Sequence, residues 1–422
     1  MTPSHQTPAP TPATEIAVIG AGVVGSSIAH RLARAGHAVT LVAPMDPGDG
    51  ASYGNAGVIA DYAVLPVGTP AVLRALPSLV LDRDSPLAIR RAAIPALAPW
   101  LARFLRQSMP GAARRNARAI SALLAHAAQD WTDLAADIGA EALLRRRGVL
   151  SLYETPAQRR AAEADRAWRA GHGIALELLE PHELGQLEPA LRAAAQGGAA
   201  YFPDTLSVAD PGAVLAHLSR AVAAQGVQRI ADRADSLRRT RQGVEVAGPS
   251  FRLTAARVVI AAGAHSRPLA LAAGDRVPLD TERGYHLEWD MPAPPVSRPA
   301  SPVARGFYIC PMQGRLRVAG TVELGGLDAP PSPHRLTVLE DGARAILPDL
   351  PAPDRAWMGF RPSVPDSVPV IGPSRAGPDI LLAFGHGHLG LTLAPVTARI
   401  IAALIDGAPP PVPLAPYLPT RF

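Results

Sequence analysis

Lysine is absent from this 422-residue chain, so all 41 basic residues are arginine. Without a side-chain amine there can be no Schiff base with pyridoxal phosphate and no phosphate-loop lysine. Cysteine is nearly absent too. The single Cys310 excludes a disulfide framework and any cysteine-rich metal or iron–sulfur centre within the chain, and its place in the apolar run Phe307 to Cys310 marks it as a buried thiol. Aromatic residues are 5% of the total, the arginines are scattered and the net charge is only +5. Nucleic-acid binding calls for clustered basic residues beside exposed aromatics, so no nucleic-acid partner is expected. The 12 histidines form no cluster of ligand spacing, so no metal is expected. The first 14 residues, MTPSHQTPAPTPAT, have neither a charged start nor an apolar centre; they read as a disordered tail and not an export signal. No apolar stretch of about 20 residues lies outside Glu15 to Val42, so no transmembrane helix is expected and a cytoplasmic chain is.

What is present is ample apolar material, 48% of residues, enough for two domains or three. The stretch EIAVIGAGVVGSSIAHRLARAGHAVTLV, from Glu15 to Val42, reads as strand, glycine turn, helix and strand. In such a unit Gly20 permits the tight turn, Gly22 lets the backbone approach a pyrophosphate, and Gly25 lets helix pack on strand. Val23 and Val24 open the helix, whose free N–H groups and positive dipole end face the phosphates. A dinucleotide is therefore the expected ligand. One part of the pattern is missing: the acid that usually holds the adenosine ribose is replaced by Ala43, and only Asp46 and Asp49 follow soon after.

Downstream, GDGASYGNAGVIADY (48–62) reads as a loop of small residues. Residues 63–147 read mostly as helix, cut by Pro86, Pro95, Pro99 and Pro110. Within them Arg90, Arg91, Arg103 and Arg106 lie among Ile94, Leu97, Trp100, Leu101, Phe104 and Leu105. That pattern suits either a helix packed on its own protein or one resting on a membrane surface. Strand-like GVLSLY follows at Gly148, and Asp210-Pro211 signals a helix start. Strands are expected around Val244 to Val246, over Ala256 to Ser266, and repeatedly between Pro278 and Gly326. Near the C-terminus DILLAF reads as a buried strand and LTLAPVTARIIAALI as a helix. Their joint, Gly385-His-Gly387-His-Leu-Gly390, repeats the spacing of the opening turn and aims a second helix start at the same ligand region.

The segments VIGAGVVGSSIAHRLARAGHAVTLV, GASYGNAG, RVVIAAGAHS, RGYHLEW, PMQGRLRVAGTVELGG, GFRPSVPDSVPVIGPS and FGHGHLGLTLAPVTARIIAALI, in this order over residues 15–405, resemble the FAD-dependent D-amino-acid oxidase superfamily. Within it they most resemble the D-amino-acid dehydrogenase branch, including members acting on D-hydroxyproline. The resemblance implies an α/β fold: a Rossmann-like FAD domain of the glutathione-reductase type, plus a substrate domain with a mixed, antiparallel-rich sheet and added helices. The FAD domain is expected to gather residues 15–62, 207–275 and 356–422, and the substrate domain 63–206 and 276–355. Non-covalent FAD is implied along Gly20, Gly22, Val23, Val24 and Gly25, along Ser52, Asn55, Ala56 and Gly57, beside Ala262 and Gly263, and under Gly385, His386, Gly387, Leu389 and Gly390. Arg361 is implied to bind the substrate carboxylate, as a bidentate guanidinium does best.

Three further residues are expected to assist. His386 or His388 adds positive potential where the reduced flavin gathers charge, alongside the dipole of the helix starting at Gly390. Tyr285 is preferred over His286 as a wall of the pocket, because strand alternation sends only one of two neighbours to each face; Tyr308 is a similar candidate. The implied reaction is oxidative deamination of a D-amino acid or a cyclic secondary amino acid. Electrons pass to oxygen or, at the inner face of a membrane, to a quinone of the respiratory chain. The competing readings are an FAD monooxygenase using NADPH and a flavin-stabilised electron-carrier subunit of a larger dehydrogenase.

Overall fold

The computed structural model describes residues 14–44 and 50–422. The first strand, Thr14–Ile19, runs into the glycine turn and the helix Val23–Arg34, and the chain returns as the strand Val39–Val42. The apolar run is buried on both faces, as a parallel strand covered by helices must be. The proline-rich tail, apart from Thr14, lies outside the described residues, as do Asp46 and Asp49.

Two large sheets divide the described residues, with a two-stranded ribbon of Leu144–Arg145 and Ser207–Val208 beside them. The first has eight strands; Thr14–Ile19 lies between Val39–Val42 and Arg252–Ile260, and Gly377–Phe384 pairs with the far side of Arg252–Ile260. These pairings are parallel, so the strand ends at Ile19, Ile260 and Phe384 all point to one edge. The turn Gly20–Gly25, the segment Ala261–Gly263 and the loop Gly385–Gly390 all leave from that edge, so the two helix starts converge as their spacing predicts. The C-terminal helix, Gly390–Asp406, packs beside Val23–Arg34 in one continuous core. By length and composition Gly387–Asp406 would suit a membrane span, contrary to the sequence expectation, but 72% of its most apolar window is buried inside the protein. It is a core helix: its apolar character serves packing on all sides.

The second sheet has nine strands, mostly antiparallel, ordered from Arg355–Ser363 through Asp280–Asp290, Arg315–Leu324, Phe307–Met312 and Ala300–Pro302 to Val149–Leu152, Ala199–Phe202 and Glu177–Leu179. Leu87–Ile89 adds to Arg315–Leu324 in parallel, a strand inside a stretch expected to be helical. Residues 355–363 form a strand of this sheet, pairing with Asp280–Asp290. That corrects the expectation that residues 356–363 go with the FAD domain and hence with the first sheet. Alternating exposure is blurred there because the strand, at the end of the sheet order, is half-buried along most of its length and exposed at Arg355 and Ala356, so sequence pattern alone did not mark it.

The helices behave as written with one exception. Asp210 caps Pro211–Ala224, its Oδ1 accepting from Gly212 N at 2.8 Å and Ala213 N at 3.2 Å. Pro95 and Pro110 sit in the first turns of Ile94–Gln107 and Pro110–Leu124, where no N–H is needed. Pro99, expected to cut the run, lies inside Ile94–Gln107, which continues through it. Leu97, Trp100 and Phe104 bury the inner face of that helix, while Leu105, Arg103 and Arg106 face outward.

Candidate active site

Gly20 adopts φ +112°, and a Cβ there would lie 2.3 Å from the Ala261 carbonyl oxygen; a Cβ on Gly25 would lie 1.8 Å from the Gly20 oxygen. Both positions require glycine, and the result is a bare backbone cradle at a helix start. No side chain caps the helix at Gly22. The Val23 N–H is instead taken by Ser52 Oγ at 3.0 Å, which ties the loop 50–57 to the helix start. A cavity lined by Ala21, Ser26, Leu41, Val222, Val227 and Arg229 opens beside the cradle. A helix start without a side-chain cap at Gly22, a glycine backbone touched only by the Ser52 hydroxyl and an adjoining cleft together fit the pyrophosphate and adenosine of a dinucleotide.

The loop 50–57 is clamped between this cradle and the second sheet. Asn55 Oδ1 accepts from Gly57 N at 2.7 Å, a local turn that keeps the segment in shape. Arg317, fully buried, donates through Nη1 to the carbonyls of Tyr53 at 2.7 Å and Asn55 at 2.8 Å, and its Nε reaches Glu288 Oε1 at 2.8 Å. Burial alone would raise the Glu288 carboxyl, but Arg317 and Arg315 outweigh it and hold the group down at about 2. His286 donates from Nδ1 to the Gly54 carbonyl at 3.1 Å and stacks on Trp357 with ring centroids 4.9 Å apart. A Cβ on Gly54 would meet the Trp357 ring at 2.1 Å, so the loop lies directly on this aromatic pair.

Strand register places the remaining candidates. Trp357, His286, Ala319 and Tyr308 form one row across the sheet, and the neighbouring pair Glu282 and Arg361 shares their face. Tyr308 is therefore on the face that meets the loop; its hydroxyl is 2.6 Å from that of Tyr62, and burial pushes both phenols up. Tyr285 is on the opposite face, with its hydroxyl donating to Glu323 Oε2 at 2.5 Å and accepting from Ser332 N at 3.0 Å. The expectation that Tyr285 and not His286 lines the pocket is thereby reversed. Alternation was the right rule, but it gives no phase until a neighbouring element fixes one.

Arg361 lies over Gly284, where a Cβ would come 2.4 Å from its Nη2. Its Nη1 donates to the Thr321 carbonyl at 2.9 Å and its Nη2 sits 3.5 Å from the Gly320 carbonyl. Thr321 holds φ 53°, a costly conformation for a β-branched residue, beside a register shift in the paired strand. Burial lowers the pKa of Arg361, from a value so high that the group remains a cation. An isolated bridge from Ser363 to His386 then joins the end of this strand to the loop Gly385–Gly390.

His386 departs from its expected role. Its ring is buried, with Nε2 3.0 Å from Thr397 Oγ1, and burial pushes its pKa down to about 3. A neutral imidazole bonded inside the core adds no net positive charge; the uncapped helix start at Gly390 is left as the source of positive potential on that side. The sign of the pH effect follows. A histidine neutral when folded but protonated near pH 6.5 when unfolded contributes stability that is complete above pH 6.5 and declines as pH falls toward about 3. His386→Asn is expected to flatten the fall in unfolding midpoint between pH 7 and pH 5, measured by urea titration at each pH, by up to about 1.4 kcal/mol per pH unit. An unchanged slope would show the ring to be solvated.

Sequence reading missed Glu282, Glu288, Arg317 and Trp357. Polar residues on one face of a strand, Glu282, His286 and Glu288, and the alternate arginines Arg315 and Arg317 on the next were the available signal, since a face of that kind must meet polar groups. Asp46 and Asp49, weighed for the ribose, fall outside the described residues. Ala43 itself is buried, its N–H donating to the Ile230 carbonyl at 3.0 Å.

Residues 15–404 match the family model described as FAD dependent oxidoreductase, DAO. A D-amino-acid oxidase of Bradyrhizobium diazoefficiens is 36% identical over 96% of this chain and 98% of its own length. A D-amino acid dehydrogenase 2 of Ralstonia nicotianae is 36% identical over 96% of this chain and all of its own. Among solved structures, a glycine oxidase from Geobacillus kaustophilus superposes with a TM-score of 0.75 at 25% identity, covering 98% of this chain and 100% of that one.

Proposed function

Because the chain belongs to the DAO family of FAD-dependent oxidoreductases, we propose that it oxidatively deaminates a D-amino acid or a cyclic secondary amino acid such as D-proline. FAD, when bound, would supply the acceptor for the substrate's α-hydride, and the amine lone pair would close the carbon–nitrogen double bond. Every other task falls to the chain. The turn Gly20–Gly25 and the helix start at Val23 hold the pyrophosphate. Ser52, Asn55, Ala56 and Gly57 run along the flavin side, and Ala262 and Gly263 complete the strand edge. The loop Gly385–Gly390 brings the second helix start, whose positive end favours electron density arriving nearby. Arg361 fixes the substrate carboxylate and so sets which hydrogen faces the cofactor. The imine then leaves the site; water adds across it to release ammonia and the 2-oxo acid, while a cyclic substrate leaves a cyclic imine.

The observation that carries this reading is Arg361, a half-buried cation whose hydrogens are only partly used by backbone carbonyls, on the sheet face that meets the flavin loop. The close relatives support the amino-acid substrate and its D configuration. The test is an anaerobic screen of D- and L-amino acids against the yellow holoprotein. Bleaching by one or more D-amino acids, with none by NADPH, is the expected result; bleaching by NADPH alone would instead favour a monooxygenase. Admitting air to the bleached protein, and in parallel a soluble quinone, assigns the electron acceptor.

A further inference from the structure

Arg361 accounts for one end of a zwitterion. An α-amino acid carries an ammonium group beside its carboxylate, and a site that recognises only the carboxylate treats amino acids, hydroxy acids and plain acids alike. Glu282 stands directly across from Arg361 in the antiparallel pair, on the same face of the sheet. It is 7% exposed, and with Ser363, Gly385, His386 and Gly387 it lines the cavity where the strand Arg355–Ser363 meets the second glycine loop. The two opposite charges do not spend themselves on one another: the Arg361 guanidinium turns away to the carbonyls of Thr321 and Gly320. A buried carboxylate is costly unless it is paired. Burial pushes the Glu282 carboxyl up, and Arg361 and the nearby Ser363 hydroxyl only partly offset this.

We propose that Glu282 binds the α-ammonium group of the substrate and that Glu282 and Arg361 together select zwitterionic amino acids over acids lacking the amine. The inference rests on the amino-acid reading given above. The geometry fits the ligand in kind: cross-strand neighbours have Cβ atoms about 5 Å apart, while the ammonium and carboxylate of an α-amino acid are separated by one carbon. The two protein charges then reach their partners by leaning in different directions, Arg361 toward the strand Arg315–Leu324 and Glu282 toward the loop at Gly385. Glu282 thus becomes a specificity residue that touches the substrate, and its neighbour at the bottom of the strand, His286, remains with the flavin loop.

The test compares two ligands on holoprotein: the amino acid that bleaches the wild-type flavin fastest, and the acid of identical carbon skeleton with hydrogen in place of the amine. Dissociation constants come from the concentration dependence of anaerobic flavin reduction for the first and from the shift of the flavin spectrum for the second. In Glu282→Gln the amino acid is expected to bind about 10- to 100-fold more weakly, the range for losing one charge-assisted hydrogen bond. The amine-free acid should bind as well as before or more tightly, because a carboxylate that repelled it is gone. Glu282→Asp, which keeps the charge on a shorter stem, should recover part of the discrimination, and the FAD content of each variant reports folding. Equal weakening of both ligands would assign Glu282 a structural role, and unchanged amino-acid binding would remove it from the site; either overturns the inference. Failure of the underlying reading shows earlier and separately, as a wild-type flavin that no amino acid reduces.

Discussion

Arg361→Met is expected to lower kcat/KM for the best amino-acid substrate by roughly 10³-fold while the protein still purifies yellow. Breaking a buried charge arrangement by removing one member costs about 3–5 kcal/mol, and about 1.4 kcal/mol corresponds to each tenfold of rate. Two things are lost at once: the bidentate hold on the carboxylate, and the cation that tempers the buried Glu282. FAD content should survive because Arg361 sits on the second sheet, away from the Gly20–Gly25 cradle, and its hydrogen bonds go to carbonyls of Thr321 and Gly320 in a neighbouring strand. Stopped-flow reduction under anaerobic conditions separates the two contributions, since poor holding raises the half-saturating concentration and misalignment lowers the limiting rate. A variant retaining a tenth or more of wild-type kcat/KM would show that another group holds the carboxylate.

The second large effect is at Gly25. Gly25→Ala places a methyl group 1.8 Å from the Gly20 carbonyl oxygen, a separation that only movement of backbone can relieve. The helix Val23–Arg34 must then lift from the strand Thr14–Ile19, and both the core beneath it and the cradle above it are lost. The variant is expected to purify without bound FAD and with its unfolding midpoint lowered by an amount equivalent to about 4 kcal/mol or more, the range of the severest core defects. Gly36→Ala is the control. Gly36 has φ +94° but nothing within 4 Å of its would-be Cβ, so the cost should be limited to the backbone conformation, about 1–2 kcal/mol. Flavin absorbance and a urea titration on the two variants check the contrast; comparable losses in both would mean that close packing at Gly25 is not what the turn requires.

These two residues also show what could be read from the chain without coordinates. Gly25 was legible because its requirement is local: strand, turn and helix lie within thirty residues, and glycine spacing states the geometry. Asp210 was legible for the same reason, as a cap followed by proline. Arg361 was singled out through its motif, yet its setting was misread, since a strand half-buried along most of its length lacks the alternation that would have marked it. The face of a strand is a nonlocal fact. Tyr285 and His286 differ by one position, and only the loop at Gly54 pressing on Trp357 decides which of them meets it. Glu282 went unremarked because its significance comes from a partner 79 positions later in the sequence, and Arg317 because the backbone carbonyls it holds belong to residues 53 and 55. Burial that neutralises His386 is a property of assembled structure, invisible in a histidine flanked by glycines.

The order in which the cofactor cradle is completed has a consequence for synthesis. Thr14–Ile19 emerges early, but the strands that complete the sheet on its far side, Arg252–Ile260 and then Gly377–Phe384, follow more than two hundred residues later. Until the C-terminal helix leaves the ribosome, the apolar flank of the first helix has no cover and the nucleotide has half a berth. Nascent chains of this protein therefore wait, greasy side open, for Gly390–Asp406.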